Sequence, residues 1–236
     1  MLIFHQMMNI FVSTSIDASV RVWDWKNSFL LKKFQGSENL IVDSKFLSNG
    51  KYIVSSFFYG ETIIWEWKNN NVNKLANKGD GINWFDISSN GEYLAIGLSD
   101  GCLIIYDLKN DVELVKSYLK SSIDYVCFSN NDKYIACGLS NENILILDWR
   151  DLNFQKLLEG HEDIVFSLDF SPDDKYIVSG SGDNMVKIWD WKEEKLINTL
   201  KEHTAGIFSV CFSKDGKNIA SGSVDKRIVI WGEVNE

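Results

Sequence analysis

One bulky side chain, usually followed by an acid, returns at near-constant spacing along this chain. The pairs are Trp23-Asp24, Trp65-Glu66, Tyr106-Asp107, Leu147-Asp148, Trp189-Asp190 and Trp231-Gly232, at intervals of 42, 41, 41, 42 and 42 residues. A fixed period of this length marks a repeat architecture, in which each copy packs only against its neighbours. Inside a copy the period drops to two. Runs such as Tyr176-Ile177-Val178-Ser179-Gly180 and Met185-Val186-Lys187-Ile188-Trp189 are short, β-branched and bounded by Gly, Asp and Asn, which is strand chemistry. The tetrads LSNG (47–50), SSNG (88–91), SNND (129–132), SPDD (171–174) and SKDG (213–216) stand between apolar runs and tolerate tight-turn dihedrals. A fourth run follows most Trp-acid pairs: FLLKKF (29–34), VELVKS (112–117), FQKLL (154–158) and KLINTL (195–200), with a weaker NVNKLA (71–76). Nothing repeats at 3.6 residues. Each copy therefore reads as a four-stranded meander, and radial stacking is the arrangement that buries both faces of such small sheets.

The fifth copy runs from Gly160-His161 to SLDFSPDDKYIVSGSGDNMVKIWD (167–190), and the sixth from Glu202-His203 to SVCFSKDGKNIASGSVDKRIVIWG (209–232). With Gly-His near the start and Trp-Asp at the end, the chain resembles the WD-repeat (WD40) β-propeller family, whose type members are G-protein-β-like repeats. The resemblance extends over essentially the whole sequence. It implies an all-β propeller of six four-stranded blades, the last lacking its outer strand, in one domain over 1–236 with blades at approximately 1–34, 35–76, 77–117, 118–158, 159–200 and 201–236. It also implies a buried His–Ser–Asp–Trp network in a well-formed blade: His161, Ser179, Asp183 and Trp189 in blade five, and His203, Ser221, Asp225 and Trp231 in blade six. Blade one keeps Ser13, Asp17 and Trp23. Blade two departs with Ser37 and Tyr59, blade three with Ile96 and Tyr106, and blade four with Cys137, Asn141 and Leu147. Blades two to four are thus expected to rest on apolar packing and to open more easily than blades five and six.

Met1 to Phe4 align with Ser167 to Phe170, and the sequence stops five residues after Trp231, ahead of any fourth strand for blade six. Three readings stay open: a fragment of a longer, seven-bladed ring, an open ring completed by a strand or blade from a partner, or a strained six-bladed ring. The outer strand edge near Arg227 to Trp231 is expected to be unpaired, suited to β-augmentation or aggregation.

Composition narrows the function classes. A net charge of −9 with only three arginines opposes a phosphate-binding surface, so no nucleic acid partner is expected. No apolar run is long enough for a membrane helix, so no membrane insertion is expected. Cys102, Cys127, Cys137 and Cys211 show no CxxC pairing and sit in apolar runs, as buried thiols of a reducing compartment do; the expected location is cytoplasmic or nuclear. His161, Ser179 and Asp183 superficially suggest a catalytic triad, but the set recurs in blade six with a Trp at the fourth position, which fits a structural network. No catalytic residue, metal site or cofactor is read, and GxxxxGK[ST] is absent. The aromatic two residues beyond each repeat Trp (Trp25, Trp67, Trp149 and Trp191) is expected to cover the turn between third and fourth strands.

By alignment, the loops that enter each first strand and the turns before each Asp share one face. Blades three and four place small and polar residues there: Gly81, Asn83, Ser99, Ser122, Asp124 and Ser140. The other blades place Ile16, Leu40, Val42, Phe58, Ile164, Phe166, Phe208 and Val224 there, and these eight are the candidate partner-binding residues, since a large exposed apolar patch marks an interaction surface. The expected function is a non-catalytic protein–protein interaction scaffold whose partners are proteins or peptides. The alternative is a target-recognition module from a larger protein, such as a ubiquitin-ligase receptor or a signalling ATPase, and a propeller enzyme ranks last.

Overall fold

The structure, a computed structural model, describes residues 2–4, 9–15, 17–36, 40–76 and 81–232. Ile16 and Ser37 lie outside the described residues. Blade one consists of β1 (Leu2–Phe4), β2 (Ile10–Thr14), β3 (Ser19–Asp24) and β4 (Phe29–Gln35). Blade two has β5 (Ile41–Phe46), β6 (Tyr52–Phe57), β7 (Glu61–Glu66) and β8 (Asn71–Ala76). Blade three follows with β9 (Ile82–Ile87), β10 (Tyr93–Leu98), β11 (Cys102–Asp107) and β12 (Val112–Tyr118), and blade four with β13 (Ile123–Phe128), β14 (Tyr134–Leu139), β15 (Ile144–Asp148) and β16 (Asp151–Leu158). Blade five contains β17 (Val165–Phe170), β18 (Tyr176–Ser181), β19 (Val186–Asp190) and β20 (Lys195–Leu200), and blade six β21 (Ile207–Phe212), β22 (Asn218–Ser223) and β23 (Ile228–Gly232). Among the described residues every sheet is an antiparallel meander in chain order, five of four strands and the last of three. The chain is an all-β propeller.

The first strand of each sheet packs against the first strand of the next, as β9 does on β13, β13 on β17 and β17 on β21. The core is accordingly a series of layers between blades. Val178 and Val186 of blade five meet Ile207, Val210 and Ile219 of blade six, and Ile144 and Ile146 of blade four meet Val165, Leu168 and Ile177 of blade five. Close approach needs glycine at one place. A Cβ on Gly97 would stand 2.6 Å from Ile123, one on Gly138 2.7 Å from the Val165 carbonyl oxygen, and one on Gly180 2.6 Å from Ile207.

The acid of each Trp-acid pair shapes the turn into the fourth strand. Asp24 accepts the Asn27 N–H at 2.9 Å, Asp107 those of Lys109 and Asn110 at 2.9 Å each, and Asp148 that of Arg150 at 3.0 Å. Such Asx turns relieve backbone donors that the ladder leaves unpaired. Contrary to the sequence expectation, the aromatic beyond does not cover the turn between third and fourth strands but reaches the turn between first and second: Trp67, Trp149 and Trp191 are buried and give their indole N–H to the carbonyls of Gly50, Asp132 and Asp174 at 2.9–3.0 Å. Trp25 differs, being 52% exposed; the corresponding acceptor position, Met8, lies outside the described residues. Cys102, Cys127 and Cys137 are buried free thiols, but Cys211 is exposed, because among the described residues no further blade packs on the strand that bears it. Among the described residues no helix is long and apolar enough to cross a membrane.

Candidate functional site

Three sets of residues invite a functional reading: the His–Ser–Asp–Trp clusters, the polar side chains of the first strands, and the loop face. In blade five, His161 Nδ1 lies 2.7 Å from Asp183 Oδ2, His161 Nε2 2.7 Å from Ser179 Oγ, and Trp189 Nε1–H donates to Ser179 Oγ at 2.8 Å. Blade six repeats the set, with His203–Asp225, His203–Ser221 and Trp231–Ser221 all at 2.8 Å. One assignment satisfies every group. Nδ1–H gives to the carboxylate, the serine hydroxyl gives to Nε2, and the indole gives to the serine oxygen. The carboxylates also take backbone N–H groups, Glu162 and Met185 on Asp183, Thr204 and Arg227 on Asp225. Burial alone would push both acids up, but the bonds from His161 and His203 and from these amides outweigh it and hold both below the usual carboxylate range. The His161 side chain is 0% exposed and Ser179 is 0% exposed, so Ser179 Oγ has neither access to substrate nor a free lone pair aimed at solvent. A serine nucleophile needs both, together with an oxyanion hole.

In blade one, Trp23 Nε1–H donates to Ser13 Oγ at 2.8 Å, while Asp17 turns to Ser19 and Arg21. Its carboxyl is lowered to about 2, chiefly by the Ser19 hydroxyl. Blade two holds a network that the sequence pattern did not reveal: Trp65 Nε1–H donates to Ser55 Oγ at 3.0 Å, and Ser55 Oγ lies 2.6 Å from Ser44 Oγ. The signal was present, since Ser55 stands ten residues before its Trp, as Ser13, Ser179 and Ser221 do. In blade three, Tyr106 O–H donates instead to Asp111 at 2.5 Å. Blade four keeps only apolar atoms there, with Cys137 and Leu147 both 0% exposed.

The second set was also missed by pattern reading. Polar side chains of the first strands project from the sheet faces and join one blade to the next. Lys45 of blade two pairs with Asp86 of blade three at 2.8 Å, and Asp86 Oδ2 accepts the Phe128 N–H of blade four at 2.9 Å. Trp84 stacks on Tyr125 with centroids 4.7 Å apart. Asp169 of blade five accepts the Phe212 N–H of blade six at 2.7 Å, and Ser167 that of Val210 at 3.0 Å. Burial pushes Asp43 and Asp169 up to about 6, and it would depress Lys45, which Asp86 nonetheless holds charged, above the usual lysine range. Neither oxygen of Asp43, nor the indole N–H of Trp84, has a hydrogen-bond partner among the described residues. Among the described residues no cluster of three His, Cys, Asp or Glu has the geometry of a metal site.

The loop face divides in two. In blades three and four Asn83 donates to Ser122 Oγ at 3.1 Å and to the Ile123 carbonyl, and Ser140 O–H donates to Asp124, so the small polar residues are spent on each other. In blades five and six, Phe166 stacks on Phe208 with centroids 4.4 Å apart and planes at 13°. Phe208 is 56% exposed and Val224 59%, and Ile164, two residues before Phe166, is partly buried. In blade two, Leu40 is 53% and Phe58 42% exposed, and Phe58 meets Tyr59 edge-on at 5.4 Å. Val42 is instead partly buried against the core between blades two and three.

A radial stack of antiparallel meanders carrying Trp–Ser–His–Asp networks defines the class as a repeat propeller. The family model described as WD domain, G-beta repeat, matches residues 69–107, 152–190 and 194–232. This chain belongs to the WD-repeat family. Each matched segment runs from the outer strand of one blade, or the turn leading into it, through the three inner strands of the next, so the sequence unit fastens neighbouring blades together. WD repeats generally serve as protein-interaction scaffolds. A comparison with curated proteins found no match.

Proposed function

We propose that this protein is a non-catalytic scaffold that binds other proteins or peptides on the loop face of its propeller, with Phe166, Phe208 and Val224 as the principal contacts and Leu40, Phe58, Ile164, Val42 and Ile16 around them. The observation that carries this reading is the stacked Phe166–Phe208 pair, held flat across the join between blades five and six with Phe208 more than half exposed. Rigid exposed aromatics supply contact area at little entropic cost, which is why they dominate binding hot spots. The His–Ser–Asp–Trp clusters serve as structure, since their serines are buried and fully engaged. Partners also include a strand or blade supplied at the seam beside blade six. Four free cysteines support a reducing compartment, cytoplasmic or nuclear.

The test is peptide selection against the wild-type chain with a counter-measurement on a Phe166→Ser, Phe208→Ser double variant whose thermal unfolding stays cooperative. Selected peptides should carry apolar residues and bind the variant at least ~10-fold more weakly, the loss typical of one or two hot-spot side chains. Equal binding to the variant would overturn the assignment of this face.

A further inference from the structure

The joint between blades two and three lacks an indole that its neighbours have. In blades two, four and five the residue after the acid of the repeat pair is a buried tryptophan with two contacts. Its N–H goes to a carbonyl 17 residues earlier, on Gly50, Asp132 or Asp174. Its ring packs on the preceding blade: Trp149 on Tyr93 and Trp191 on Tyr134, with centroids 4.8 Å apart in both, and Trp67 in one cluster with Ile10. In blade three that residue is Leu108, only partly buried. Yet both partners of the missing indole are in place. Tyr52 of blade two lies opposite the acid of its own blade in the ladder, as Tyr93 and Tyr134 do. Lys51 Nζ is 4.9 Å from its ring centroid, much as Lys133 Nζ is 5.0 Å from that of Tyr134. Gly91 precedes Leu108 by the same 17 residues, and its φ of 74° is close to the 63°, 56° and 54° of Gly50, Asp132 and Asp174, so the turn aims its carbonyl the same way. Where the indole would lie there is a groove of about 600 Å³, lined among others by Tyr52, Ile64, Val72, Gly91 and Leu108. It lies at the end of the blades away from the loop face, beside the turns between first and second strands.

We propose that this groove binds the side chain of a tryptophan on a partner peptide, with the indole packed on Tyr52 and its N–H given to the Gly91 carbonyl. The molecule itself sets the chemistry of the occupant, because Trp67, Trp149 and Trp191 fill the equivalent place at the other three joints between blades one and five. A phenylalanine would reach Tyr52 but leave the carbonyl without a donor, and a leucine, already present as Leu108, leaves the groove open. A peptide suits the volume better than a free indole. About 600 Å³ is the size of a pocket that encloses a drug-sized ligand, more than one bicyclic ring fills. Asn49 and Asn73 also line the groove and are exposed. A carboxamide both donates and accepts, which matches the N–H and C=O groups of a chain lying along the rim. The site is separate from Phe166 and Phe208, and the proposal does not depend on the loop face binding anything.

The probe is a blocked pentapeptide with fluorotryptophan at its centre between glycines, followed by fluorine NMR. Line broadening should report a Kd of about 1 mM or tighter, within reach of one enclosed side chain. Unlabelled peptides then compete against it. An indole methylated on its nitrogen, which lacks the N–H, should compete about fivefold more weakly than tryptophan, and leucine should not compete. Leu108→Trp supplies the groove with the chain's own indole. That variant should melt about 2–4 °C higher, the gain from one further aromatic pair, and should no longer broaden the probe. Absence of broadening with the wild type, undiminished broadening with Leu108→Trp, a lower melting temperature of that variant, or equal competition by the leucine or methylated peptide would each overturn the proposal. So would free indole that competes as well as the tryptophan peptide, which would assign the groove to a small aromatic molecule. The Phe166→Ser, Phe208→Ser variant should bind the pentapeptide as the wild type does, so failure of this proposal and failure of the loop-face reading are separable.

Discussion

Blade five and blade six carry the same His–Ser–Asp–Trp network with hydrogen bonds that agree within 0.1 Å, yet Val186 is 0% exposed and its counterpart Ile228 is 79%. The network is internal to a sheet, so its geometry is indifferent to what lies outside. The apolar face is shared property, and half of it always belongs to the neighbour. Local polar order and burial are therefore decided at different levels, and a blade that is complete by the first criterion can be incomplete by the second.

The sharpest contrast should appear in hydrogen exchange. Amides of β22 and β23 should exchange on the order of 100-fold faster than those of β18 and β19, because local opening exposes little new apolar surface where a face is already bare. Protection of β23 equal to that of β19 would break the comparison. This order departs from the sequence expectation that blades five and six both outlast blades two to four. Blade four lacks the network, but its Ile135, Cys137, Ile144 and Ile146 are all 0% exposed.

Truncation comes next. Trp189→Ala should cost about 3–5 kcal/mol in denaturant unfolding, the usual range for a fully buried Trp, and Trp231→Ala clearly less, since Trp231 is only partly buried. A smaller effect, about 2–3 kcal/mol, is expected for His161→Leu, which leaves buried partners unsatisfied. His203→Leu should cost the same, and unequal losses would show that the network does depend on the neighbouring blade. Gly180→Val should cost about 1–3 kcal/mol through overpacking, since its Cβ meets Ile207 at 2.6 Å. Gly222→Val, where that space is open, should stay within about 0.5 kcal/mol of wild type.

The smallest expected effect is a dependence on pH that blade five carries and blade six lacks. Burial raises Asp169 to about 6; the equivalent Cys211 is raised from its already alkaline value and does not titrate below neutrality. Asp86 and Lys45 are the charged groups that act on Asp169. A carboxyl with a raised folded-state pKa binds its proton in the native state before it does so unfolded. Its contribution therefore rises as pH falls from about 7 through 6 towards 4, and is lost as pH rises again. Melting curves at pH 7.5 and 5 should differ by about 1–2 kcal/mol in favour of pH 5. Asp169→Asn should remove part of the difference, with Asp43, also raised to about 6, retaining the rest.

Much of the architecture was legible because it is written in short-range terms. The Trp-acid spacing, the period of two and the turn tetrads located all six sheets, since a strand followed by an Asx turn is fixed by residues within ten positions of one another. The networks around His161 and His203 reach further, 18 and 22 residues from His to Ser and to Asp, but they stay within one copy and recur at the same spacing in the next, which made them legible too. The Ser55–Trp65 pair of blade two could have been read from its ten-residue spacing, but it was obscured by the missing His. The stitching of Lys45 to Asp86 and of Asp169 to the Phe212 amide joins residues about one repeat apart, and no local pattern announces which polar residue in an apolar strand will meet which.

By itself, then, the sequence determined the strands, their order within each meander and the polar clusters inside them, because hydrogen bonding and side-chain alternation act within one copy. Only the tertiary structure decided which faces are covered. Ile188 and Ile230 occupy the same place in the repeat and look alike in sequence; one is sheltered by a following blade and the other stands 65% exposed, because burial is a relation between two surfaces and each repeat encodes only one of them.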